Sequence, residues 1–183
     1  MTTNNCNKEK DTLPQVILVN AQDEAIGSAE KLAAHEQGLL HRAFSVFVFN
    51  KSKELLLQQR SITKYHCGGL WTNTCCSHPS PQETTIIAAK KRLQHEMGVI
   101  SDISYAGVFT YKAKFANGLT EHEIDHVYIA TGFNKEPEPN PEEAQSHKWI
   151  SIPELQEQIA RKPQLFTPWL QQSLKIATTK LLA

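Results

Sequence analysis

The densest concentration of reactive side chains lies in Gly68-Gly-Leu-Trp-Thr-Asn-Thr-Cys-Cys-Ser-His-Pro79, where a Trp, two thiols and an imidazole fall close together. Loops between regular elements often carry function. Extended backbone sends successive side chains to opposite sides, so Cys76 and His78 share one side and Cys75 takes the other. Only one thiol of the pair then enters a site. The bland alternative is that a buried Cys serves as a small hydrophobe and His78 merely hydrogen-bonds the loop.

A second cluster, Glu121-His-Glu123-Ile-Asp125, puts three carboxylates on one face of a strand, with roughly 7 Å between successive Cα positions. Adjacent carboxylates can share a cation. They can also form ordinary ion pairs: a tight two-residue turn at Asn117-Gly118 pairs Lys112 with Glu123 and Lys114 with Glu121 on a solvated face. Taken alone, this cluster favours the ion pairs. The third cluster is His35-Glu-Gln-Gly-Leu-Leu-His41, whose first His sits in a Gly-containing loop able to fold back toward the second. Together His35, His41, His78, Glu121 and Glu123 offer nitrogen and oxygen ligands suited to Zn²⁺, Mn²⁺ or Mg²⁺. Five ligands exceed the usual four of structural zinc.

The elements that must position these groups are readable in outline. Residues 15–20, 41–49 and 54–60 read as strands, with Asn50-Lys-Ser-Lys53 as the turn between the last two. Ser80-Pro81-Gln82-Glu83 is a capping box, predicting a helix over 81–97 with Ile86, Ala89, Leu93 and Met97 on its apolar stripe and Gly98 as its stop. A hairpin follows over 102–115 and 121–131, then a strand near 148–151, a helix capped by Ser151 reaching about residue 161, and a last helix opened by Thr167-Pro168. The order predicts a mixed sheet sandwiched by helices in one α/β domain over 15–183, behind a loose tail at 1–14.

Composition narrows the partners. The 183 residues carry 19 basic and 19 acidic side chains, giving zero net charge, so no long-range field recommends a nucleic acid or a membrane surface. Any anionic ligand must be held by locally clustered cations. The first fifteen residues contain no apolar run of the kind an export signal needs, and no stretch approaches the roughly 20 apolar residues of a membrane span. A cytoplasmic, reducing setting is expected, with Cys6, Cys67, Cys75 and Cys76 as thiols.

Trp71-Thr-Asn-Thr-Cys-Cys-Ser-His-Pro79 closely resembles the active-site loop of type I isopentenyl-diphosphate delta-isomerases. Glu30-Lys31 through His35, His41-Arg-Ala-Phe-Ser45, Glu121-His-Glu123 and Phe166-Thr-Pro-Trp169 resemble further blocks of that family in the same order, covering about residues 15–180. The family belongs to the Nudix superfamily, whose box is G-x5-E-x7-R-E-U-x-E-E-x-G-U, with U apolar. Here Ser77 replaces the first Gly, and Arg92 and His95 replace acidic positions, while Glu83, Glu96 and Gly98 are kept. A pyrophosphate hydrolase needs several of those carboxylates to gather metals, so the departures disfavour hydrolysis.

The resemblance implies conversion of isopentenyl diphosphate into dimethylallyl diphosphate through protonation to a tertiary carbocation and loss of a neighbouring proton. It implies Cys76 and Glu123 as the acid/base pair, Tyr111 as an aid to proton delivery and Trp169 as the indole over the cation. It further implies His35, His41, His78, Glu121 and Glu123 as ligands of one divalent metal (Mn, Zn or Mg). Glu96 would bind a second ion, Mg²⁺, with the diphosphate, and Lys31, Arg60, Lys64 and Arg92 would contact the diphosphate itself. A monomer or weak dimer is expected. The competing function is a Nudix-type diphosphate hydrolase, and a third is a non-catalytic metal-binding protein. Many family members carry an aromatic residue and Pro where this chain has Cys67-Gly68. The tight-turn register given above also points Tyr111 away from Glu123, so placing Tyr111 in the site demands a wider loop or a bulge.

Overall fold

The structure, a computed structural model, describes residues 13–183. Cys6 and the tail expected over 1–14, apart from Leu13 and Pro14, lie outside the described residues. Strand β1 (Gln15–Val19) turns at Asn20, whose side-chain oxygen accepts from the Gln22 and Glu24 amides, and returns as β2 (Ala25–Glu30). The sequence reading lacked β2 because Ala-Ile-Gly-Ser-Ala-Glu has no apolar alternation, and the strand is an exposed sheet edge. It runs straight into α1 (Lys31–Gln37), where a loop was expected. The Glu30 carboxylate accepts from the Leu32 and Ala33 amides at 2.9 and 3.0 Å, and Gly38 at φ 64° ends the helix, so Lys31 and His35 stand one turn apart on one face.

Next come β3 (His41–Asn50), β4 (Leu55–Arg60), the short strands β5 (Trp71–Thr72) and β6 (Cys75–Ser77), and α2 (Thr85–Met97). The capping box lies outside α2: Ser80 to Glu83 form a separate turn, closed by the Glu83 amide on the Ser80 carbonyl, and the helix starts after Thr84. Ala89, Leu93 and Met97 face the core as expected, whereas Ile86 is 38% exposed. Gly98 takes the left-handed conformation, φ 64°. Its missing side chain matters, since a Cβ there would lie 2.7 Å from the Glu138 carbonyl.

The chain then forms β7 (Ser104–Lys114), β8 (Thr120–Phe133), β9 (Ala144–Ile150), α3 (Ile152–Arg161) capped by Ser151, and α4 (Leu170–Leu182). Strand β3 is the axis of the sheet. Parallel β8 covers one edge along nearly its whole length, and the other edge meets β1 at His41, β6 at Phe44–Val46 and β4 at Phe49. Period-two alternation divides its side chains between two cores. Phe44, Val46 and Val48 pack with Cys75, Leu93 and Met97 toward α2, while Phe47 and Phe49 pack with Trp169, Leu170 and Leu174 toward α4. Fully burying each such side chain contributes about 1.5–3 kcal/mol. On the α4 side, His41, Ala43 and Ser45 replace bulk with small or polar groups, and Ala43 lines a cavity there.

Candidate active site

The β7–β8 hairpin decides much of the site. Tyr111 pairs with Glu123, Lys112 with His122 and Ala113 with Glu121, one residue away from the register of a tight turn. The loop is wider than expected: the Phe115 amide bonds the Leu119 carbonyl at 2.9 Å, leaving Ala116, Asn117 and Gly118 as the turn, with Gly118 at φ 89°. A left-handed last residue is what a three-residue hairpin loop requires. The one-residue slip exchanges faces. The expected Lys112–Glu123 and Lys114–Glu121 ion pairs are therefore absent, Tyr111 turns inward, and Glu121, Glu123 and Asp125 are buried at 3, 4 and 2% exposure.

The Tyr111 hydroxyl lies 2.6 Å from both Glu121 Oε2 and Glu123 Oε2. A phenol has one proton to donate, so it is a junction between two carboxyl groups. Burial first, then the two glutamates, push its pKa far above the ordinary phenol value.

His35, His41, His78 and Glu123 bring one ligand atom each within 4.8 Å of one another. Carbonyl oxygens only accept, so the contacts of His35 Nδ1 with Lys31 (2.6 Å) and His41 Nδ1 with Leu39 (2.8 Å) put protons on those nitrogens and turn Nε2 toward the cluster. His35 Nε2 is buried with no hydrogen-bond partner, and His41 Nε2 and His78 Nε2 face each other at 3.2 Å, a contact that only a shared proton makes favourable. Burial lowers the pKa of His35 to about 4 and that of His78 to about 3, favouring the neutral imidazoles that bind metals. Burial opposes the charge of Glu123, but facing His78 and His41 holds its carboxyl well below the usual range. An unpartnered nitrogen, converging lone pairs and one carboxylate fit a divalent cation. Glu121, expected among the ligands, stands outside this group, with its oxygens against His66 Nε2 (2.5 Å) and Tyr111.

Cys76 and Glu123 line one cavity, with Tyr111 and Trp169. The two thiols part as alternation requires: Cys75 is fully buried in the α2-side core, whereas Cys76 faces the cavity. Burial first, against the nearby Arg60 charge, raises the Cys76 pKa and keeps its proton on sulfur. Arg60 Nη1 stands 3.7 Å from Cys76 Sγ. Trp169 is fixed by its indole N–H, which faces Thr72 Oγ1 at 3.1 Å and Asn73 Oδ1 at 3.2 Å, and the Arg60 guanidinium lies 5.6 Å from its ring centre.

Lys31, Arg60, Lys64 and Arg92 all reach the same cavity, as does Glu96. Arg92 grips Glu96 Oε1 at 2.7 and 3.1 Å, and Gln58 donates to the other oxygen at 3.0 Å. The loop after β4 closes this end tightly: a Cβ on Gly68 would lie 2.7 Å from the Ile62 carbonyl, so Gly68 takes the place of a bulkier residue only by having no side chain. The sequence reading missed His66, Asp125 and Glu143 as members of the site. Asp125 lies on the carboxylate face already recognised, but nothing local marks His66 or Glu143, which tertiary contacts alone bring in.

The NUDIX domain family model matches residues 39–170. Solved structures share the fold: a Deinococcus radiodurans protein aligns at TM-score 0.67 and 19% identity, covering 80% of this chain and 89% of its own. The MutT protein of Methanosarcina mazei Go1 aligns at TM-score 0.61 and 14% identity, covering 74% and 91%. The mixed sheet between helices is thus a Nudix fold. Among curated relatives, the isopentenyl-diphosphate Delta-isomerase of Serratia proteamaculans is 49% identical over 84% of this chain and 86% of its own length. Isopentenyl-diphosphate Delta-isomerase 2 of Aromatoleum aromaticum is 47% identical over 85% and 82%. The chain belongs to the isopentenyl-diphosphate Delta-isomerase family of NUDIX-domain proteins.

Proposed function

We infer that the protein is an isomerase that interconverts isopentenyl diphosphate and dimethylallyl diphosphate. The observation that carries the reading is one cavity lined by a thiol, Cys76, and a buried carboxylate, Glu123, together with the Trp169 indole and four cations. The curated relatives named for this activity support it across most of the chain.

The substrate has no carbonyl to stabilise a carbanion, so the double bond moves by adding a proton at the terminal alkene carbon and removing one from the carbon on the other side. The tertiary cation between these steps calls for an acid and a base on opposite faces and for exclusion of water. Cys76 and Glu123 serve as that pair. Because the reaction is reversible, the group that accepts a proton in one direction donates it in the other. Tyr111, touching Glu121 and Glu123, delivers protons to the carboxylate. Acid/base assistance contributes about 10²- to 10⁴-fold. The Trp169 ring adds about 2 kcal/mol or more for a desolvated cation.

His35, His41, His78 and Glu123 would hold one divalent cation, which would supply positive charge that lowers the proton affinity of the carboxylate. Glu96 would hold a second divalent ion, Mg²⁺, in place of its contacts with Arg92 and Gln58, and Lys31, Arg60, Lys64 and Arg92 would contact the diphosphate. The protein acts on a small molecule, as a monomer or weak dimer, in the cytoplasm. No helix among the described residues is long and apolar enough to cross a membrane. Replacement of Nudix acidic positions by Arg92 and His95 argues against the hydrolase reading. Incubation with isopentenyl diphosphate is the test: product NMR should show a trisubstituted alkene with both phosphates retained. Phosphate release without alkene migration would overturn the reading.

A further inference from the structure

Glu143, in the connection between β8 and β9, is used by none of the chemistry above. Its carboxylate pairs with Lys64 Nζ, approaches Arg92 Nη2 at 3.1 Å and lies 3.5 Å from His95 Nε2. Arg92 and His95 are the two acidic positions of the Nudix box that this chain does not keep, so Glu143 meets the places where negative groups have been exchanged for basic ones. Lys64 and Arg92 are also two of the four cations assigned to the diphosphate. The other two differ: among the described residues, neither Lys31 nor Arg60 has a carboxylate within ion-pair distance.

We propose that Glu143 is an affinity-setting residue, a built-in competitor whose carboxylate occupies Lys64 and Arg92 and opposes the diphosphate common to substrate and product. The inference rests on the reading of Lys64 and Arg92 as diphosphate contacts. The backbone that carries the carboxylate is fixed beside the two cations. The Glu143 carbonyl accepts from the Ser61 amide at 2.9 Å, its own amide donates to Asn140 at 2.9 Å, and the next residue, Ala144, pairs with Arg60 in the sheet. Lys64 and Arg92 hold the carboxyl below its ordinary value against the effect of burial, so it is charged at neutral pH. A bound diphosphate therefore takes two donors from an anion whose backbone is held beside the site. Substrate and product carry the same diphosphate, so extra affinity for that group stabilises both alike and does nothing for the chemical step. Glu143 keeps this uniform binding loose enough for product to leave.

The test is Glu143→Gln, which keeps the shape and removes the charge, with Mg²⁺ held constant. The KM for isopentenyl diphosphate and the competitive inhibition constant of inorganic pyrophosphate should both fall about tenfold, equivalent to about 1.4 kcal/mol, while kcat does not rise. A rise in both constants would mean that Glu143 only positions Lys64 and Arg92, and unchanged constants would mean that it does nothing; either overturns the proposal. Glu143→Ala, also uncharged, serves if the Gln variant fails to fold, and Glu142→Gln, at an exposed neighbour, should change neither constant. Calorimetric titration with pyrophosphate separates the two readings. Turnover and pyrophosphate binding in the unaltered protein, with no tightening in the variant, would sink this inference alone. Absence of both in the unaltered protein would sink the functional reading and the inference with it.

Discussion

The two faces of β3 and β6 share backbone, hydrogen bonds and sequence neighbourhood, yet they do opposite work. Toward α2, Phe44, Val46, Val48 and Cys75 fill space among Leu93 and Met97, and all are fully buried. Toward α4, beyond Phe47 and Phe49, the same strands present His41, Ala43, Ser45 and Cys76, small or polar groups of which Ala43 and Cys76 line a cavity. Adjacent residues thus have separate surroundings: one face packs apolar groups throughout, whereas the other joins the core at Phe47 and Phe49 and turns polar or small toward the cavity. Cys75 and Cys76 are the sharpest instance, two identical side chains separated by one peptide bond and assigned to different tasks by a period of two.

Cys76→Ala should lower kcat by about 10³-fold or more while leaving the melting temperature near its original value, measured by alkene isomerisation and thermal unfolding. Comparable loss in Cys75→Ala would break the division between the faces. Leu93→Ala should cost about 2–5 kcal/mol of stability, because the void sits in the fully buried α2-side core away from the cavity, and the folded fraction should keep its KM; denaturant unfolding with active-site titration reads both. Tyr111→Phe removes only the hydroxyl between Glu121 and Glu123 and should slow turnover about 10²-fold with unchanged KM in steady-state kinetics. Chelation should abolish activity yet leave far-UV circular dichroism unchanged, since two apolar cores hold the fold without metal; unfolding on chelation would assign the His cluster to stability instead. The smallest effect is expected for Cys75→Ala: a loss of about 1 kcal/mol, or about 2–4 °C in Tm, with near-normal activity.

Comparison of individual elements explains what could be read in advance. The termination of α2 at Gly98 and the capping of α3 by Ser151 were legible because each depends on a residue and its immediate neighbours. The start of α2 was misplaced because Ser80 and Glu83 do form a local turn, but the helix begins one turn later. Strand β2 and helix α1 carry weak local signals. The cap of α1 is a Glu, an uncommon choice, although Gly38 marks its end. The carboxylate face of β8 was visible as alternation, but its environment was misjudged as solvated through the assumed hairpin register.

By itself the sequence determined the strand and helix periods, the opposite facing of Cys75 and Cys76, the balanced charge and the ordered blocks that define the family. These are properties of short segments, set by side-chain alternation and turn chemistry within a few residues. Only the tertiary structure decided that Tyr111 faces Glu123, that Glu121 turns to His66 and that Glu143 holds Lys64 and Arg92. The hairpin register turns on a single additional residue in its loop, and the other contacts join groups more than fifty positions apart. Their geometry follows from how the whole sheet packs rather than from any local preference.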